Sequence, residues 1–444
     1  MKAADEKIHE QALKRYKLAS EAEAKQRERE QEDLRFQVPE MQWDDDSRRA
    51  RQGGMVAGVP VPARPILSIP KLDQPIQLVL NQERSAHLGI NIHPLSEDAD
   101  DDTAAVLQGL YRFIERDSRA ELARSWAFER AVKAGRGAYR INTDWDDTGH
   151  PFDQKIVISR ILYQEAVYFD PSAQEPDFCD GEWAFVTSWV PLPTFKRLYP
   201  DAEISSATDM DFSDAYSQTP EWVKGDGDER AILVAEYFYK DHEKETIVVL
   251  QDGNVVVKDE TIPPELIVGE RERDKVSVRW CKLTGTEILE QQDWNGKYIP
   301  IVPVVGKELQ PFDDERYWTG MIRGARDAQR LFNFAASSAV EMAALEPRAP
   351  WLMTEGQMEG YESMWQQSNT RNFPVLMYKQ TTVGGTPAPP PQRVQVDVAR
   401  LGPSMALLNQ ADDFIQSATA TYDPSLGNLT KSDRSGKAIK ALQS

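Results

Sequence analysis

The feature that most constrains this chain is a helical period far longer than an ordinary globular helix. Trp318, Met321, Ile322, Ala325, Ala328, Leu331, Phe332, Ala335, Ala339 and Met342 recur at intervals of three and four. The stretch predicts a helix of about thirty residues, roughly 45 Å long, against a typical length of about 11 residues. Pro347 and Pro350 end it. A second long pattern runs through Leu401, Met405, Leu408, Phe414, Ile415 and Ala418, and breaks at Asp423-Pro424 and Gly427-Asn428. Between the two lies an insert, 351 to 395, with Trp351, Met353, Met358, Tyr361, Met364 and Trp365. In it the apolar run Phe373 to Tyr378 reads as a strand, and Gly384 to Pro391 as an extended Pro-rich loop. Ala335-Ala336-Ser337-Ser338-Ala339 gives the first helix a small-residue face that another helix can approach closely. That face suits a hairpin in one monomer's core or a helix packed against copies of itself in a ring. The period alone does not separate these.

Upstream, the pattern is that of an α+β protein. The first 35 residues are rich in Ala, Glu, Lys, Arg and Gln, with Leu13, Tyr16 and Leu18 the main apolar points. They predict a helical arm whose charges form a solvated face. Residues 37 to 65 are irregular, with Pro39, Pro60, Pro62, Pro65 and Gly53-Gly54. A short helical pattern follows Pro75. Thr103 is placed to cap a further helix in which Val106, Leu107, Leu110, Phe113, Ile114, Leu122, Trp126, Ala127 and Val132 form the apolar stripe, as one helix or two. Gly135 and Gly137 stop it. Short β-favouring runs then occupy 138–143, 155–161, 166–169, 183–190, 232–239, 246–250, 255–257 and 276–283, with Asp252-Gly253-Asn254 as a hairpin signal. Pro193 to Tyr199 reads as one or two helical turns, and 205 to 228 as a loop. The middle third is therefore a domain built on antiparallel pairs.

Charge narrows the function. Lys+Arg is 52 against Asp+Glu 72, a net −20 over 444 residues. That surplus argues against tight, sequence-independent gripping of nucleic acid, which depends on Lys and Arg displacing counterions. It leaves DNA possible as a passing substrate. Cys179 and Cys281 are too few for a disulfide scaffold, so a reducing compartment is expected. The N-terminal MKAADEKIHEQALKRYK has no apolar core for a signal peptide, and no run approaches the length of a membrane helix.

Searches for chemistry find little. The acidic run Glu97 to Asp102 fails the EF-hand spacing, since Thr103 and Gly109 stand where Gly and Glu are needed. Gly135-Arg136-Gly137 lacks the third glycine of a dinucleotide fingerprint, and Gly436-Lys437 lacks the earlier glycine of a phosphate loop. His9, His87, His93, His150 and His242 include no i, i+4 pair. No catalytic residue, metal ligand or cofactor is expected. An acidic hydrolase with a non-contiguous carboxylate pair and a monomeric helical adaptor or scaffold remain the alternatives.

Five stretches resemble the portal proteins of tailed, short-tailed-type bacteriophages: Arg64 to Ile76, Ala127 to Gly137, Ala166 to Ala173, Gly320 to Arg330 with Asn333, and Ser435 to Ile439. Their shared order spans nearly the whole chain. The resemblance implies a portal-type protomer with a mixed wing, a long helical stem hairpin and a small clip, assembled as a dodecameric ring at one capsid vertex. On that template 1–36 is an N-terminal helical arm, 37–312 the wing, 313–344 and 396–422 the stem helices, and 345–395 the clip. The tunnel loop is 423–434, and 435–444 begins a long helix toward a crown. Portals of this type continue further, so the chain reads as cut short. The implied partners are capsid protein, the large terminase subunit, a head-to-tail adaptor and double-stranded DNA in the channel, with no membrane. The implied sites are Lys431, Arg434 and Lys437 facing DNA, and Glu355, Met358, Glu359, Tyr361 and Trp365 facing the clip's partners. Ala335, Ala336, Ser337, Ser338 and Ala339 would pack the stem. The implied location is the virion, with assembly in the host cytoplasm.

Overall fold

In the computed structural model helices form at α1 (Ala3–Phe36), α2 (Asp45–Arg51), α3 (Asp73–Ala86), α4 (Asp101–Ser118), α5 (Ala120–Ala134), α6 (Leu192–Leu198), α7 (Met321–Leu345), α8 (Glu362–Gln366) and α9 (Leu401–Thr419). Strands form at β1 (Gly54–Val56), β2 (Val59–Val61), β3 (Arg136–Trp145), β4 (Gln154–Arg160), β5 (Val167–Phe169), β6 (Trp183–Pro191), β7 (Val223–Lys224), β8 (Ala231–Leu250) and β9 (Val255–Val257). They continue at β10 (Ile267–Leu283), β11 (Ile288–Trp294), β12 (Ile301–Val305), β13 (Lys307–Phe312), β14 (Glu315–Thr319), β15 (Trp351–Leu352), β16 (Thr382–Val383), β17 (Thr386–Pro387) and β18 (Gln392–Arg393). The structure describes residues 3–56, 59–61, 63–86, 89–94, 100–145, 152–202, 223–224, 230–250, 255–258, 263, 266–312, 315–345, 351–368, 371–393 and 401–420. The chain divides into a unit of Met1–Asp33 with Val79–Gly320 and a unit of Leu34–Leu78 with Met321–Ser444.

The first unit is α+β. Its larger sheet has the order β11-β10-β8-β6-β5, with β7 and β9 paired to β8, and a second sheet has the order β12-β3-β4. Every pairing is antiparallel. Both faces of the larger sheet are covered around β6 and β8, so these strands read as unbroken apolar runs. Trp183, Phe185 and Tyr237 meet Ala12, Tyr16 and Ala19 of α1, while their alternating neighbours Ala184, Val186 and Phe238 meet Ala138, Phe169 and Ile301.

Helix α1 is present as expected, and Glu10, Lys14, Lys17, Glu21 and Lys25 form the expected solvated face, but a second face carries buried charges. Ala12, Tyr16, Ala19, Glu23, Gln26 and Glu30 form one buried stripe at intervals of three and four, whereas Leu18 is exposed. The apolar half of the stripe meets the sheet. The charged half is neutralised by Arg130 and Arg136, which stand a hundred residues or more from Glu30 and Glu23 in sequence.

The second predicted helix is two. Asp100, not Thr103, caps α4, accepting from the Asp102 amide at 3.1 Å and from Thr103 Oγ1 at 3.3 Å. Arg119, left-handed at φ 50°, breaks α4 from α5. The predicted apolar stripe is also corrected. Val106, Leu110 and Phe113 point outward from α4, and the buried stripe of α5 is Ala120, Ala123, Ala127, Ala131 and Ala134. Gly135, at φ 106°, ends α5 as its C-cap.

Strands β8 and β10 extend well past the rest of their sheet. Strand β6 stops at the pair Trp183↔Tyr239 and β11 at Trp294↔Val278. Among the described residues, 240–250 and 267–277 pair with each other and are joined over 247–249 by β9. Along this ribbon, residues of opposite charge stand opposite one another. Lys275 faces Glu243, Asp274 faces Lys244, and Arg273 forms an ion pair with Glu245.

Trp318, read as the start of the long helix, belongs to β14 instead. It pairs with Glu308 of β13 and packs against the first unit's core. Helix α7 begins at Met321 and, at 1.5 Å per residue, is about 37 Å long.

Candidate functional site

In the second unit α7 packs against α9, forming the predicted hairpin of long helices. A third segment ties α7 down. The amides of Leu67, Ile69 and Lys71 donate to Ser337 Oγ at 2.9 Å, Asn333 Oδ1 at 3.0 Å and Gln329 Oε1 at 3.0 Å. The match is geometric: two residues of extended chain advance about 6.6 Å and four of helix about 6.0 Å, so alternate amides meet every fourth side chain. Gln329, Asn333 and Ser337 are essentially fully buried. Gln329 returns a bond from Nε2 to the Ile69 carbonyl at 2.6 Å, and Asn333 Nδ2 donates to Gln42 Oε1 at 2.7 Å. Lys71 Nζ reaches Asp412 of α9 at 3.0 Å, and Arg64 reaches Glu341 of α7 at 2.6 Å. Two of the stretches that carry the family resemblance, 64–76 and 320–333, are therefore bound to each other.

This arrangement gives a checkable expectation. Replacing Asn333 with leucine keeps an apolar side chain in the space but leaves the Ile69 amide and the Gln42 side chain without an acceptor or donor. A loss of about 1–3 kcal/mol is expected, read as a lower denaturation midpoint in urea with unchanged slope.

Of the predicted stem-packing residues, Ala335, Ala336 and Ser337 are buried inside the chain. Ser338 Oγ accepts from Arg51 at 3.1 Å, and Ala339 is half-buried. The contacts of Ala335, Ala336, Ser337 and Ser338 described above are within the chain. Among the described residues, the large apolar side chains that α7 and α9 leave exposed are Phe334, Val340, Met405 and Phe414.

The insert closes on itself at the ladder of β15 with β18, where Trp351 faces Arg393. Trp351 meets Trp365 edge-on at 5.1 Å, and Trp365 Nε1 donates to the Met377 carbonyl at 2.8 Å. Trp365, expected to face a partner, is instead a buried core residue of the insert. A large aromatic in so small a fold is more effective as core than as surface. Gln357, also buried, accepts from the Thr354 amide and donates to the Pro389 carbonyl, both at 2.9 Å. Gly384-Gly385, both at positive φ, turn the hairpin of β16 and β17 within the stretch expected to be an extended loop.

The remaining insert residues are at the surface. Glu355 and Tyr361 are exposed, Met358 is half-buried, and Glu359 pairs with Lys379 Nζ at 2.6 Å. Phe373 to Tyr378 forms no strand, and Val375, Met377 and Tyr378 are exposed with Leu352. Sequence reading took 373–378 for a strand and singled out none of these four as surface residues. Lys431, Arg434 and Lys437 lie outside the described residues, as do 423–434 and Ser435 to Ile439. Among the described residues no group of three His, Cys, Asp or Glu could hold a metal, and no helix is long and apolar enough to cross a membrane.

A tied helical hairpin carrying a self-closed insert, in a chain whose other unit is α+β, fits the class of phage portal proteins. The phage P22-like portal protein family matches residues 13–444, and the chain belongs to that family. It is also similar to the portal protein of Acyrthosiphon pisum secondary endosymbiont phage 1, with 27% identity over 456 aligned positions and 96% of this chain covered. The chain spans about three-fifths of that relative's length, 61%.

Proposed function

We propose that twelve copies of this chain form the ring at one capsid vertex through which double-stranded DNA enters during packaging and leaves at ejection. The observation that carries this reading is the family match over residues 13–444. On this reading 1–36 is the helical arm, 37–312 is the wing, 313–344 and 396–422 are the stem, and 345–395 is the clip. Residues 423–434 are the tunnel loop, and 435–444 start the helix beyond it. The exposed Phe334, Val340, Met405 and Phe414 support the stem assignment, because a hairpin that seals its small-residue face internally and leaves large apolar groups outside has surface to bury between copies. The clip, with Glu355, Met358, Glu359 and Tyr361, would meet the large terminase subunit during packaging and a head-to-tail adaptor afterwards. The wing would meet capsid protein.

The charge fits a conduit. A polyanion slides best past a wall with few fixed phosphate clamps, and twelve copies at −20 each give a ring of about −240. Lys431, Arg434 and Lys437 would touch the DNA backbone at the narrowing without reading sequence. Native mass tests the assembly. A particle near twelve times 50.3 kDa with a central hole in negative stain is expected, and a monomer with hydrolytic activity would sink the proposal. Replacing all three basic residues with Ala should impair packaging or retention of DNA and leave ring mass unchanged. Packaging and retention equal to wild type would remove the tunnel-loop assignment.

A further inference from the structure

The ladder of β12 with β3 stops at a proline, and a cavity opens where it stops. Ile301 faces Arg140, so Pro300 stands opposite Ile141. The Ile141 amide donates to the Pro300 carbonyl at 2.9 Å, but proline has no N–H to return the bond. Strand β3 runs on to Trp145 paired with β4, while 295–299 leads back to the end of β11 at Trp294. Between β3, β11 and the turn after β5 lies a concave space of about 740 Å³, all of it within the first unit. That is the size of a small-molecule site.

The walls are largely aromatic. Phe169 and Phe178 stack with ring centres 4.6 Å apart, and Trp183, Trp294 and Tyr298 also line the space. The charges are mostly of one sign. Asp170, Asp177 and Asp293 line it, against Lys297, whose Nζ lies 5.4 Å from the centre of the Tyr298 ring. Asp177 is exposed, and Asp293 is exposed with Arg279 at 3.7 Å. Asp170 is different, being only 4% exposed. Its Oδ1 accepts from the Ser172 amide at 2.9 Å and Ser172 Oγ at 2.7 Å, and its Oδ2 from the Glu182 amide at 3.0 Å. Both oxygens act as acceptors, the pattern of a carboxylate. Buried charges are ordinarily paired, as Glu23 and Glu30 are with arginines, yet Asp170 has no ion pair among the described residues. Among those residues no three of the acids gather to hold a metal ion, so a cation here needs an apolar body that the walls can bind.

We propose that this cavity binds a small organic ammonium, with its charge among Asp170, Asp177 and Asp293 and its apolar body on the aromatic walls. Aromatic faces attract such cations as well as their hydrocarbon, which makes the two halves of the site cooperate. The inference stands on the first unit alone and is independent of the ring reading.

The test is calorimetric titration of the full chain with phenethylammonium. Phenethyl alcohol serves as the neutral isostere and magnesium ion as the bare charge. Saturable binding of the ammonium, about tenfold tighter than of the alcohol and undisturbed by millimolar magnesium, is expected. Asp177→Asn keeps the Oδ1 that accepts from the Cys179 amide at 3.1 Å and removes the charge. Combined with Asp293→Asn it should weaken the ammonium about tenfold, with the melting temperature showing that the fold is kept. Equal affinity for ammonium and alcohol overturns the proposal, as does displacement by magnesium. So does an absence of saturation at millimolar ammonium, or an affinity that the double variant leaves unchanged.

Discussion

Replacing Arg136 with methionine is expected to destabilise the chain by about 3–5 kcal/mol, the cost of removing one partner from a buried ion network. Arg136 binds Glu23 at 2.8 Å and Glu30 at 3.4 Å, and each of these side chains is less than 10% exposed. Arg27 shares Glu23 at 2.6 Å, and Arg130 shares Glu30 at 3.0 Å. Arg27 also donates to the carbonyls of Glu165 and Val167 and lies over the Tyr168 ring. Methionine fills the space and leaves two buried carboxylates with one fewer cation. The network is what fastens the charged half of α1 to the sheet, so thermal unfolding of the first unit should shift down. Glu23→Leu alone should cost a similar amount, and the double variant less than the sum, because the partner each single change strands is also removed in the double variant. Additive losses would show that the groups act independently.

The same network sets an acid response. Burial by itself pushes the Glu23 carboxyl up, but Arg136 and Arg27 outweigh it and hold the carboxyl below its ordinary value. A carboxyl depressed in the folded state binds fewer protons there than when unfolded. Its contribution is therefore present above the unfolded value, about 4.3, and is lost as pH falls through the folded one. Arg136→Met weakens the depression, so the variant's acid loss should be shallower. The gap between wild type and variant is expected to be widest near neutrality and to narrow below about pH 4.

These residues also mark where sequence reading stopped. The strands around 183–190 and 232–239, the helical hairpin and the insert were legible because apolar residues repeat at the period of the element. Glu23, Arg27 and Glu30 were not, because on a charged helix nothing local separates a solvated carboxylate from one that meets Arg136 across the fold. Helix α4 misled in the opposite sense. Val106, Leu110 and Phe113 have the period of a buried stripe but stand on the outward face of α4. Trp318 fell on the helical period by coincidence of spacing, two residues before Gly320. The family stretches were legible as resemblance, and the structure supplies their physics. Asn333 and Gln329 tie the 64–76 segment, and Asp170 holds the turn after β5 by accepting from Ser172 and Glu182.

Gly137→Ala is the second large effect expected. Gly135-Arg136-Gly137 resembles a nucleotide-binding loop only in its letters. Its second glycine exists because α5 lies directly on β3. A Cβ at 137 would stand 2.8 Å from the Ala127 carbonyl carbon and closer still to its oxygen. Both are backbone of a helix whose alanine stripe already brings it as near to the sheet as side chains allow, so neither partner has a flexible end to move. Overpacking ordinarily costs about 1–3 kcal/mol, and a collision of main chain with main chain belongs at or above the upper limit. The displaced strand also carries Arg136, so α1 should loosen with it, and proteolysis near 23–30 should accelerate in the folded state. Gly324→Ala in α7 is the control. A Cβ there meets nothing within 4 Å, and alanine in a helix interior should stabilise by about 0.5–1 kcal/mol. Melting temperatures that move in opposite directions for the two alanines are the expected result. A Gly137→Ala chain that melts with wild type would mean that α5 is free to lift from β3, and that the glycine is not there for the helix.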